Sequence, residues 1–317
     1  MTVPNLLRDG KLRMSETTLN PPDFDPKDCA DLLLKWLNRQ ASDDAIAWIE
    51  DRIQKIPGGE QRALFLAFGM APRKVGKADL QLTEDDLKQA ETARPGWQPN
   101  GWTLDQTART LLLLSYPSTD QERYIETLDQ LFAAGEVGEL VALYQAIPVL
   151  PHPNVHVLRA AEGMRTNIPA VFRSIAHQNP YPAEHLEEGR WNQMVLKALF
   201  IELQLDPIVG LDQRANTTLM RMLIDYAHER WAAGREVSPE LWRCVGPFAN
   251  DTAIKDLTRV LEKGQPLEQQ AAALALSQSS KPAATEALRK HPELERQLRN
   301  GKITWSDIAS QLSSAGG

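Results

Sequence analysis

The sequence predicts an all-α protein, and three observations carry that expectation. Apolar residues recur at helical spacing along most of the chain, helix-capping residues stand ahead of these stripes, and no alternating apolar–polar run exceeds a few residues. Cys29, Leu33, Trp36 and Leu37 form one stripe, Tyr124, Leu128, Leu131 and Phe132 a second, and Met220, Ile224, Ala227 and Trp231 a third.

Taken in order, residues 1–26 read as an extended N-terminal arm, because Asn20-Pro21-Pro22-Asp23-Phe24-Asp25-Pro26 resists helix formation. Residues 27–250 read as a helical core. Its starts are marked by Ser42-Asp43-Asp44, Thr83-Glu84-Asp85-Asp86, Thr103-Leu104-Asp105 and Ser238-Pro239-Glu240, each a capping residue ahead of acids or proline. Stops along the chain are Pro57-Gly58-Gly59, Pro95-Gly96, Gly234 and Gly264. Residues 251–317 read as short helices packed on that core: 252–262, 266–279, 282–290, 292–299 and 304–312. Pro266, Pro282 and Pro292 stand where a missing N–H is harmless, and the small residues Ala271, Ala272, Ala273 and Ala275 allow close packing. The array has the character of HEAT-like α-solenoid pairs, most of all at this end.

Composition excludes several classes. With 42% hydrophobic and 24% charged residues the chain is an ordinary globular one rather than a disordered one. A net charge of −7 argues against a nucleic-acid binder, which needs a basic surplus. No apolar run approaches the ~20 residues of a membrane helix, and no signal-peptide core opens the sequence. The only cysteines, Cys29 and Cys244, sit in apolar helical settings and read as buried free thiols, so the expected compartment is the cytoplasm.

Few motifs carry chemistry. Gly69 and Gly76-Lys77 lack phosphate-loop spacing, and Ala78 stands where a hydroxyl residue belongs, so what remains is a basic turn at Pro72-Arg73-Lys74-Val75-Gly76-Lys77. It is either a solvated connector or an anion contact. His152 and His156 have a metal-ligand spacing, but Pro153 makes His152 a cap that points away, and no third ligand follows in register; no metal and no cofactor are expected. Arg221, Asp225, His228 and Glu229 share one helix face, either as a salt-bridge ladder or as the lining of a cleft. No Gly-x-Ser-x-Gly elbow supports a nucleophile triad.

The stretch from Leu150 to Ala249 is dense in Arg, Asn, Gln, His and Trp. It holds His152-Pro153-Asn154-Val155-His156, Arg159-Ala160-Ala161-Glu162-Gly163-Met164-Arg165-Thr166-Asn167 and Asn179-Pro180-Tyr181-Pro182-Ala183-Glu184. Further on come Trp191-Asn192-Gln193-Met194, Gly210-Leu211-Asp212-Gln213-Arg214-Ala215-Asn216, Asp225-Tyr226-Ala227-His228-Glu229-Arg230-Trp231 and Leu241-Trp242-Arg243-Cys244. In these motifs the chain resembles the EboA family, helical components of a bacterial gene cluster associated with traffic of secondary metabolites, from about Leu32 to Phe248. The resemblance implies pathway neighbours: a UbiA-like membrane prenyltransferase, a TatD-like hydrolase, a sugar-phosphate-cyclase-like enzyme and a phosphatase-like protein. It supplies no catalytic residue set.

The expected function is therefore a cofactor-free binding or adaptor protein that meets a small pathway intermediate and other proteins of its cluster. Arg159, Arg165 and Arg214 offer forked donors to an anionic or hydroxyl-rich ligand. Asn167, Asn192, Gln193 and Lys197 offer polar contacts, and Trp191 and Trp242 offer apolar walls. Asp212, Arg214 and the cap Asn216 lead into the helix of Asp225 and His228; this segment, the helix end at Arg165 and Asn167, and the helix of Asn192, Gln193 and Lys197 are expected to converge on one cavity. The same groups can instead tie helix ends together. Two alternatives stand beside this reading. One is an enzyme acting on a polyhydroxylated (cyclitol-like) or prenylated intermediate, with Glu162, Asp225 or His228 as acid/base groups. The other is a structural solenoid that docks pathway proteins.

Overall fold

Helix-start chemistry governs the first third of the computed structural model, which describes residue 19 and residues 21–315. Helix α1 (Pro26–Gln40) begins at a proline in its first turn, with the Asp25 side chain accepting from the Lys27 N–H. Pro26 thus belongs to the helix rather than the expected arm; residues 1–18 and 20 of that arm lie outside the described residues. Ser42 caps α2 (Asp43–Lys55), and Gly59, at φ 79, ends the short 3-10 turn that follows. Helix α3 (Gln61–Val75) takes in the first four residues, Pro72 to Val75, of the segment expected to be a basic turn, and leaves only Gly76 and Lys77 outside it. Pro72 cannot donate to the Phe68 carbonyl one turn back, and the Arg109 Nε donates there instead at 3.0 Å. The lost bond is replaced, so the helix continues to Val75. Capping boxes open α4 (Glu84–Ala93), through Thr83 and Asp86, and α5 (Leu104–Leu114), through Thr103 and Gln106.

The middle of the chain holds α6 (Gln121–Ala134), α7 (Val137–Ala146), α8 (Val157–Arg165), α9 (Pro169–Ala176), α10 (Tyr181–His185) and α11 (Glu188–Phe200). Asn216 then caps α12 (Thr217–Ala232), as the sequence implies, by accepting from the Leu219 N–H. Ser238-Pro239-Glu240 opens a 3-10 helix, Pro239–Cys244, rather than an α-helix. The last helices are α13 (Asp251–Lys263), α14 (Pro266–Ser277), α15 (Pro282–Arg289), α16 (Pro292–Arg299) and α17 (Trp305–Ala315). The fold is all-helical among the described residues. One isolated bridge, Asp79 with Thr103, is the nearest thing to a strand.

Two apolar cores hold these helices together. The smaller gathers Cys29, Leu33, Trp36, Ile49, Trp97 and Trp102, with the Trp36–Trp97 and Trp97–Trp102 ring centroids 5.6 and 6.0 Å apart. The larger runs from Ile56 to Ile308 and includes Ala271, Ala272, Ala273, Trp305 and Ile308 of the C-terminal helices. Those helices therefore share the main core. Their contact is close because it is made by small residues: a Cβ on Gly246 would lie 2.4 Å from the Ala275 carbonyl oxygen. Both cysteines are buried and free, and burial pushes each thiol up to about 12.

A buried ion pair links the end of α4, beside the smaller core, to α10, beside the larger. Arg94 forks onto Glu184 at 2.9 and 2.5 Å while its other donors reach the carbonyls of Pro95 and Pro148. Phe24 of the N-terminal segment lies over the guanidinium, 4.8 Å from it. Every polar group of this pair has a partner, which is the condition for burying charge at tolerable cost.

Candidate functional site

Helices α7 and α9 lie side by side, and the ends of α9 and α11 meet beyond them. Together they line an open cavity of about 830 Å³, within the roughly 300–1,000 Å³ range of small-molecule sites. Val141 and Gln145, one turn apart on α7, face it, as do Arg173, Ser174 and His177 from the last turn of α9. Trp102, Leu203, Pro207 and Leu312 provide apolar wall.

Two helix ends give the cavity its shape. Helix α11 closes with the Leu203 N–H on the Ala198 carbonyl and the Glu202 N–H on the Leu199 carbonyl, a Schellman ending. The left-handed position of that motif normally takes glycine; here it is Glu202, at φ 59. Gln178 follows α9 in the same conformation, at φ 54, and its N–H reaches the Pro207 carbonyl at 2.8 Å. A side chain in this region costs on the order of 1–3 kcal/mol, a strain that clusters at ligand sites. The third such residue among the described ones, His152, lies elsewhere, its Nε2 on the Ser118 carbonyl.

The polar groups around the cavity are incompletely used. The Gln145 Oε1 is buried with no hydrogen-bond partner. Arg173 is exposed, and its side chain makes no hydrogen bond or ion pair among the described residues. The His177 Nε2–H donates to the Gln204 carbonyl at 2.9 Å, so Nδ1 is the acceptor of a neutral ring. Burial first, and Arg173 to a lesser degree, bring His177 down to about 4. On the far side, the Gln204 Nε2 donates to the Ala309 carbonyl and the Ser313 Oγ, fixing the end of α17 against the cavity. A mix of one cation, one carboxylate and several neutral donors and acceptors suits a hydroxyl-rich ligand.

The residues singled out from sequence fall elsewhere, in three groups. Arg159 bonds to Asp129 and Glu162 at the surface and lies over the Phe132 ring. Asp212 takes two bonds from Arg243, at 2.7 and 2.8 Å; Asp225 is exposed; His228 pairs with Asp256 at 2.8 Å. Trp191, Asn192 and Arg214 are buried: Asn192 and Asn216 exchange two hydrogen bonds, and Arg214 lies over the Trp191 ring while donating to the carbonyls of Pro182 and Ala183. Trp242 is buried beside Trp231. The third group does come together. Arg165, Gln193 and Lys197 line one recess of about 280 Å³, and Asn167, Gln193 and Lys197 line an adjoining one of about 500 Å³.

The single shared cavity expected for Arg165, Asn192 and Arg214 is therefore not formed. Consecutive residues of a helix point about 100° apart, so α11 turns Trp191 and Asn192 inward while Gln193 and Lys197 face out. His156 is likewise committed, its Nε2 on the Pro151 carbonyl. Sequence reasoning missed Gln145, Arg173, His177, Gln178 and Glu202. The one signal was the polar run His177-Gln178-Asn179 closing an apolar helix without glycine.

Fold and cavity together define an all-helical protein with an open polar recess of small-molecule size. The family model described as metabolite traffic protein EboA matches residues 29–246, and the chain belongs to the EboA family. No curated protein and no solved structure matches it. No helix among the described residues is long and apolar enough to cross a membrane.

Proposed function

We propose that this chain is a binding protein of metabolite traffic whose hydroxyl-rich ligand seats in the cavity over Gln145, Arg173 and His177. One observation carries the reading: two helices end in strained, non-glycine left-handed residues around a cavity whose Gln145 oxygen is buried and unpaired. A ligand hydroxyl supplies that missing partner. The protein works without a cofactor and in the cytoplasm, where two free buried thiols are at ease. It acts as an adaptor to other proteins of its gene cluster, a UbiA-like membrane prenyltransferase among them. In this reading residues 27–250 are the binding core, and residues 251–317 are a HEAT-like solenoid region that offers the docking surface.

Binding is favoured over catalysis by one magnitude. A base at about 4, where His177 stands, is far from the neutral range in which acid–base catalysis is efficient. Of the three acid/base candidates, Glu162 and His228 are engaged with Arg159 and Asp256, and the exposed Asp225 does not line the cavity. Native mass spectrometry of the protein purified from cells expressing the whole cluster tests the proposal. A retained small molecule is expected, lost on Gln145→Leu; retention undiminished by that substitution would overturn it.

A further inference from the structure

We propose that the recess between the end of α11 and α12 is a second site, for a small amphiphile with an anionic head. No residue lines both this recess and the cavity over Gln145, Arg173 and His177. Leu196, Phe200, Ile201 and Tyr226 make the recess apolar over about 500 Å³. Phe200 is 71% exposed, a large ring left in water at the lip of a concave surface. Isolated exposed apolar residues are ordinary; one continuous with an apolar hollow marks a binding surface.

The rim supplies the charge. Lys197, Arg230 and Arg235 stand there against the single acid Glu229, on a chain whose net charge is −7. Lys197 donates to the carbonyls of Met164 and Thr166 at 2.8 and 2.6 Å, which leaves one of its three hydrogens free. Arg230 uses only its Nε, on the Glu236 carbonyl at 2.8 Å, and Arg235 makes no side-chain bond among the described residues. Part of this charge answers the carbonyl ends of α8, α11 and α12, each worth about half an elementary charge. Glu229 cancels one more, and the remainder is positive. An apolar hollow under a positive rim fits an alkyl or similar tail ending in a phosphate or carboxylate.

Calorimetry on the full chain with hexyl, octyl and decyl phosphate, each below its micelle concentration, tests this. Affinity should rise about fourfold for each added methylene until the hollow is full. Inorganic phosphate and decyltrimethylammonium should bind far more weakly. Phe200→Ser and Arg235→Glu, both at exposed positions, should each weaken decyl phosphate about tenfold with an unchanged melting temperature, while Arg173→Ala should not. A flat chain-length series, equal binding of the cationic surfactant, or indifference to both substitutions would overturn the proposal. So would a dimer in native mass spectrometry that Phe200→Ser dissolves, because a second copy would then be the occupant.

Discussion

Arg94 and Arg173 are the same side chain placed in opposite circumstances. Arg94 is 1% exposed, and every nitrogen of its guanidinium donates to a carboxylate or carbonyl; Arg173 stands at a cavity mouth with no partner among the described residues. The first arrangement answers the desolvation of its charge within the protein and can add nothing to a ligand. The second leaves its donors for something that arrives. Satisfied polar groups therefore belong to the fold, and unsatisfied ones at a cavity mark the candidate site.

The largest loss is expected at the buried pair. Arg94→Ala leaves the Glu184 carboxylate buried without its counter-charge, and such losses cost about 3–5 kcal/mol. Denaturant midpoints should show a drop of that size. A loss below about 1 kcal/mol would mean that Glu184 does not depend on Arg94 for its counter-charge.

Acid should act next, on both regions at once. His156, His177 and His185 are each brought from 6.5 to about 4, first by burial. A depressed histidine takes its proton more readily in the unfolded chain. Stability is therefore unaffected above pH 6.5 and falls as pH drops from 6.5 towards 4. Thermal melts across that window should show the decline, and His177→Gln should make it shallower. A stability that rises on acidification would contradict the buried, neutral rings.

A smaller loss follows from Asn216→Ala. It removes the cap of α12 and both hydrogen bonds of the fully buried Asn192, so it should cost about 1–2 kcal/mol. Urea unfolding checks it. An effect near zero would return Asn192 and Asn216 to the list of groups free for a ligand.

These residues also show how much could be read from sequence. Asn216 was legible as a cap because capping is local: the residue and the N–H it accepts lie three positions apart. The helices were legible for the same reason, through periodicity and prolines in first turns. Pro72 was not, because the Arg109 that replaces its hydrogen bond is distant in sequence and helices normally break there. The site was the least legible part. Asn192 and Gln193 are neighbours with equal hydrogen-bonding capacity, and only the rotation of α11 decides that one is buried and the other faces water. Nor does anything in Gln178 or Glu202 announce a left-handed backbone, a conformation set by where α9 and α11 are forced to end.

Arg173→Ala is the smallest perturbation to the fold and the most discriminating. The side chain is exposed and unpaired, so its removal should change stability by no more than about 0.5 kcal/mol. Its role in the proposed site is to supply forked donors to ligand oxygens, and losing a charge-assisted bond should weaken binding about tenfold or more. The two readouts therefore separate: a melting temperature held constant, with the co-purifying molecule lost. Arg94→Ala should do the reverse in kind, destabilising the protein without touching the cavity. If Arg173→Ala instead lowers the melting temperature as Arg94→Ala does, Arg173 has a structural partner. If neither readout moves, the cavity over His177 is not where the ligand sits.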